Sequence, residues 1–150
     1  MFKPNQSKLR FILLVIFLLS SPVFAGINDK NFGDVMVAKV TSIYDGDTFR
    51  ANIKDWPPIM GERIPVRIAG IDTPELKGKC EKEKRLGREA KQFTVTMLRP
   101  GKIIELRDIK RGKYFRLVAS VFVDGKSLGD ELIKAGMARP YDGGKKKGWC

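Results

Sequence analysis

Nine consecutive residues, Arg67 to Glu75, read R-I-A-G-I-D-T-P-E and deliver one cation, Arg67, and two carboxylates, Asp72 and Glu75, to a single strand end. Val66 and Ile68 flank Arg67 in the alternation of a half-buried strand. Pro74 stops it, because it lacks an amide hydrogen and forces Thr73 out of the helical region. Upstream, Asp45-Gly46-Asp47-Thr48 offers two more carboxylates at a tight turn. Downstream, Lys113-Tyr114-Phe115-Arg116 offers a second arginine at the start of another strand. Acidic side chains that hold a hard metal, beside arginines that hold a phosphate, form the chemistry of phosphodiester cleavage.

Each fragment has a plainer explanation when taken alone. Turns are rich in Asp for conformational reasons. Arg67 could serve as a structural salt-bridge partner of Glu62 or Asp72, and Arg116 carries the same ambiguity. An EF-hand over Asp45 to Trp56 fails, because Arg50 stands where that loop needs Gly and Trp56 where it needs Glu. The chain contains no His. That excludes imidazole bases and His-dependent triads, and leaves carboxylates, arginines and a metal for any cleavage reaction.

The elements that must position these residues begin after a targeting segment. Lys3, Lys8 and Arg10 precede an apolar run from Phe11 to Leu19, and Val23-Phe24-Ala25 reads as a cleavage site. Residues 1–25 are therefore expected to be a signal peptide, cut after Ala25, with the protein secreted or periplasmic. A membrane anchor is the alternative, but a span needs about 20 apolar residues and Pro22 interrupts this one. Without residues 1–25 the formal net charge falls from +12 to +9. Such a basic domain favours a polyanion as partner: nucleic acid, anionic lipid or acidic polysaccharide. Two cysteines, Cys80 and Cys150, remain. An internal bridge is the expectation for an oxidising compartment, with two free thiols or a dimer through Cys150 as alternatives. Two Cys without His do not make a zinc site of the usual kind.

Residues 26–150 are long enough for one domain with one core. Strands are expected at Val35–Ile43, Thr48–Ile53, Ile64–Ile71, Lys102–Arg107 and Phe115–Val123, with Asp45-Gly46 as a hairpin turn. Leu86, Ala90, Phe93 and Met97 recur at helical spacing and predict a helix from Glu81 to Leu98 that faces the core with those residues. Ser127 should cap a second helix, Leu128 to Ala135, stopped by Gly136. The core is expected over 35–140. A basic C-terminal tail covers 142–150, and its part rich in Gly and Lys, 142–148, carries no core signal and reads as a mobile basic segment. The order βββαββα fits a five-stranded OB-fold barrel with helices.

Four motifs together resemble the staphylococcal nuclease (thermonuclease) family. They are D-G-D-T at 45–48, R-x-x-x-I-D-T-P-E at 67–75, K-Y-x-R at 113–116, and D-G-x-x-L followed by L-x-x-x-G-x-A across 124–138. They match in order and roughly in spacing over about residues 35 to 140. The resemblance implies an OB-fold, Ca2+-dependent endonuclease acting on DNA and RNA, single- or double-stranded, and leaving 3′-phosphates. It implies Asp47, Asp72 and the carbonyl of Thr73 as Ca2+ ligands, and Arg67 and Arg116 as phosphate clamps. Glu75 would orient or deprotonate the attacking water, while Lys113 and Tyr114 would grip a neighbouring phosphate. Two positions depart from the family pattern. Gly112 replaces an Asp, and Phe115 replaces a Gly immediately before the arginine, which could add a base-stacking surface. The tail lysines would add non-specific phosphate contacts. A soluble, monomeric nuclease of low sequence specificity is the resulting expectation. A non-catalytic nucleic-acid-binding OB module, or a basic envelope-interaction protein, are its rivals.

Overall fold

The computed structural model describes residues 30–150; the signal peptide expected at 1–25 lies outside them. Eight strands and three helices follow in the order β1 (Val35–Ile43), β2 (Thr48–Ile53), α1 (Pro58–Gly61), β3 (Ile64–Ile68), β4 (Ile71–Asp72), α2 (Glu81–Leu98), β5 (Ile104–Arg111), β6 (Leu117–Val123), β7 (Lys126–Ser127), α3 (Leu128–Lys134) and β8 (Arg139–Pro140).

The strands β3, β2, β1, β5 and β6 pair in that order, and a parallel β3–β6 pairing closes them into a five-stranded barrel. Closure removes the exposed sheet edges that short strands would otherwise present. Its interior is filled by inward-facing Phe49, Ala51, Val66, Ile68, Leu106, Ile109, Ala119 and Val121, with Leu128 and Leu132 of α3 sealing one end. Ser127 caps α3 by accepting a hydrogen bond from the Asp130 amide at 3.2 Å. Gly136 ends that segment with φ at +72°. Among the described residues no helix is long and apolar enough to cross a membrane.

Three expectations need correction. The third strand breaks at Ala69-Gly70, where Gly70 takes φ of +74°, so Ile71–Asp72 becomes a separate short strand paired with β8. The fifth barrel strand starts at Leu117 rather than Phe115, because Tyr114 and Phe115 both adopt left-handed backbone in a one-turn 3-10 segment. The stretch 142–148 is not a loose segment, since Lys146 contacts Asp72 and Glu75. Beyond it Trp149 is buried, and the expected disulfide joins Cys150 to Cys80 with their Cα atoms 6.1 Å apart.

The helix α2 also presents a different face from the one its largest residues mark. Glu83, Gly87, Ala90, Thr94 and Leu98 are buried, whereas Leu86, Phe93 and Met97 are only partly covered. The reason is a close approach to the loops that carry the carboxylates. A side-chain carbon on Gly87 would come within 2.8 Å of the Glu75 carbonyl oxygen, and one on Gly46 within 2.8 Å of Ala90. Thr94 donates its hydroxyl to the Gly46 carbonyl at 2.6 Å. One helix face thus fixes both acidic loops relative to each other.

Candidate active site

Asp47 is the hub. Nearly fully buried in the turn between β1 and β2, it accepts at Oδ1 from Arg67 Nη1 at 2.6 Å and from the Thr48 hydroxyl at 2.9 Å. Its Oδ2 accepts from the Thr73 amide at 3.3 Å. Thr48 pairs with Arg67 in the β2–β3 register, which is why this turn and this strand end meet. Arg67 Nη2 donates to the Ile71 carbonyl at 3.2 Å and lies 3.7 Å from Asp72 Oδ1. The structural salt bridge weighed for Arg67 therefore exists, mainly to Asp47, and it ties the arginine to the same carboxylates.

Asp72 is buried beneath the tail. Trp149 Nε1 donates to its Oδ2 at 3.3 Å, and the Lys146 ammonium stands 2.7 Å from its Oδ1. Lys146 also donates to Glu75 Oε1 at 2.9 Å. Burial works against the charged ammonium, but its contacts with the Asp72 and Glu75 carboxylates outweigh this and raise its pKa. Glu75 itself is half exposed. The lysine expected to contact phosphates instead bridges two carboxylates.

Asp45, Thr48, Arg67, Glu75, Arg116 and Lys146 line one open cleft, together with Tyr141 of the tail. Arg116 projects into it from the residue before β6, and its buried Nε has no hydrogen-bond partner among the described residues. A buried guanidinium nitrogen without an acceptor is costly to leave unmet, and an anion in the cleft would meet it. Asp45 is buried as well, and its carboxyl is pushed up to about 7, first by burial and then by the charge of Asp47, with Glu75 adding less. Its hydrogen bond from the Asp47 amide, at 3.2 Å, pulls the other way.

Lys113 and Tyr114 do not join the cleft lining. They sit on the exposed turn just before Arg116, where Tyr114 is 88% and Phe115 79% exposed. The Arg111 guanidinium lies 5.1 Å from the centre of the Phe115 ring. Asp45, Tyr141, Lys146 and Trp149 are the site residues that motif reasoning did not assign. Asp45 was visible in its motif. Trp149-Cys150, an aromatic and a cysteine that both favour burial, was the signal in the tail.

The donor set suits a hard cation. Among the described residues no three acidic, His or Cys side chains already surround one point. A Ca2+-type ion, however, takes roughly six to eight oxygens, many of them from carbonyls and water. Asp72 Oδ1 is buried and receives no well-directed hydrogen bond, only the facing lysine and arginine charges. An oxygen in that state is a fitting ligand atom, and Asp47 and the Thr73 carbonyl are on adjoining loops.

A staphylococcal nuclease homologue model matches residues 65–148, more than half of the 150-residue chain. The chain belongs to the staphylococcal nuclease family. It is 33% identical to a probable endonuclease, LCL3, of Pyricularia oryzae, over 71% of this chain and 49% of that protein. It is 32% identical to endonuclease YncB of Bacillus subtilis, over 75% of this chain and 51% of that protein. A probable endonuclease of Schizosaccharomyces pombe, C19F8.04c, is 31% identical over 72% of this chain and 56% of its own length. The chain thus spans about half the length of these curated relatives. Metal dependence is general in the staphylococcal nuclease family, in keeping with the oxygen-rich donor set. The matched span includes Arg67, Asp72, Thr73, Glu75 and Arg116 and extends through most of the tail.

Proposed function

We propose that this chain is an exported, Ca2+-dependent nuclease that hydrolyses DNA and RNA with low sequence specificity and leaves 3′-phosphate ends. The observation that carries the reading is the convergence of Arg67, Glu75 and Arg116, whose buried Nε has no partner among the described residues, on one cleft beside buried aspartates. A pure binding groove gains nothing from carboxylates next to a polyanion. In this reading Asp47, Asp72 and the Thr73 carbonyl hold the ion, which when bound polarises a non-bridging phosphate oxygen. Arg67, fixed by Asp47, and Arg116 donate to the phosphate oxygens as negative charge builds on them. Glu75 aligns a water for in-line attack and takes its proton. The phosphorus–O5′ bond breaks, the departing 5′ oxygen takes a proton from solvent water, and the phosphate stays on the 3′ side. Lys113 and Tyr114 hold the next phosphate along the strand, and the exposed Phe115 stacks on a base.

Export rests on the basic and apolar residues before Ala25, and the oxidised Cys80–Cys150 pair suits an extracellular or periplasmic destination. The working form is a monomer. The test is incubation of the purified chain with single-stranded DNA, duplex DNA and RNA, in Ca2+ or in excess chelator. Cleavage in Ca2+ that ceases in chelator is expected. Salt-sensitive binding without cleavage in either condition would instead make the chain a binding module.

A further inference from the structure

Asp72 is held from two directions by one piece of chain. Its own backbone pairs with Arg139 of β8. The Arg139 guanidinium then stacks 3.7 Å from the centre of the Trp149 ring and donates to the Gly148 carbonyl at 3.0 Å. Trp149, buried by this stacking, returns its indole N–H to Asp72 Oδ2. The neighbouring Cys150 is fastened to Cys80, at the start of α2. Indole nitrogen can only donate. It therefore fixes the rotation of the carboxylate through Oδ2 and leaves Oδ1 as the free ligand atom, faced by the Lys146 ammonium at 2.7 Å and Arg67 at 3.7 Å.

We propose that Trp149 is a positioning residue for Asp72, set in place by Arg139 and the Cys80–Cys150 bridge, and that it raises the affinity of the site for its divalent cation. The inference rests on the Ca2+ reading above. Partners behind a metal ligand typically contribute about 10- to 100-fold in affinity, so the indole should be felt in metal binding more than in folding.

The experiment is Ca2+ titration calorimetry on the full oxidised chain and on Trp149→Phe, with melting temperatures measured in chelator. Phe keeps a ring for Arg139 to cover and removes the donor, together with the volume of the second ring. The expected result is Ca2+ binding weaker by about 10-fold or more, a metal-free melting temperature little changed, and cleavage regained at high Ca2+. Unchanged Ca2+ affinity with a lowered melting temperature would overturn the proposal and leave Trp149 as packing. A wild-type chain that binds no Ca2+ would overturn the metal reading itself. A second measurement needs no new variant. Reducing the only two cysteines should change Ca2+ affinity more in the wild type than in Trp149→Phe, because the bridge acts through that ring. Equal changes in both would show that it does not.

Discussion

Asp45 has the most unusual electrostatic position in the cleft. Its folded-state pKa, about 7 against an ordinary 3.8, means that the folded protein keeps a proton which the unfolded chain releases. The sign follows directly: a raised acid pKa stabilises the fold at low pH, and that contribution is lost as pH rises from about 4 through about 7. Melting curves in chelator across this range should show the wild type losing stability relative to Asp45→Asn, which carries no charge at any pH. A constant difference between the two would mean that Asp45 does not titrate there. Beside it, Lys146 places a tethered positive charge between Asp72 and Glu75, which the proposed cation would have to displace. Neither residue's role could be read from the motif alone, because each depends on what the fold packs around it.

At the scale of elements, α2 is the part that turns two acidic loops into one site. Its Gly87 lies where a side-chain carbon would meet the Glu75 and Pro74 backbone oxygens at 2.8 and 3.0 Å. Ala is the better helix former by about 1 kcal/mol, yet backbone cannot yield as a flexible side chain can. Overpacking costs roughly 1–3 kcal/mol, so Gly87→Ala should destabilise modestly in denaturant melts and lower turnover further by displacing Glu75. A gain in stability with full activity would contradict the packing described. The helix itself was legible in the sequence through its apolar spacing, but its buried face was not. Periodicity weights large apolar residues, whereas this contact is made by Gly87, Ala90 and Thr94, selected for closeness. The barrel strands were legible because β2 and β6 alternate cleanly. The start of β6 was missed because nothing in Tyr114-Phe115 announces left-handed backbone at two bulky residues.

For the molecule as a whole, the barrel supplies a rigid frame on which acidic loops, a second arginine and a C-terminal strap meet. The strap was legible only in part: the two cysteines pointed to the bridge that now spans 70 residues, whereas Gly and Lys between 143 and 148 carry no periodicity that would show how they are ordered. The motif residues stood out in the sequence by type and order, and the structure brings Asp47, Arg67, Asp72 and Thr73 into direct contact. The formal charge, +12 and still +9 without residues 1–25, gives the chain a long-range attraction for polyanions, while the proposed reading assigns the cutting of one to the cleft. The most direct test of that claim is turnover of single-stranded DNA at saturating Ca2+ by the wild type, Glu75→Gln and Arg116→Gln, with Ca2+ affinity measured alongside. Losses of about 100- to 1000-fold in turnover, the scale of a missing transition-state donor, are expected while Ca2+ still binds. Turnover that survives both substitutions would place the chemistry outside this cleft.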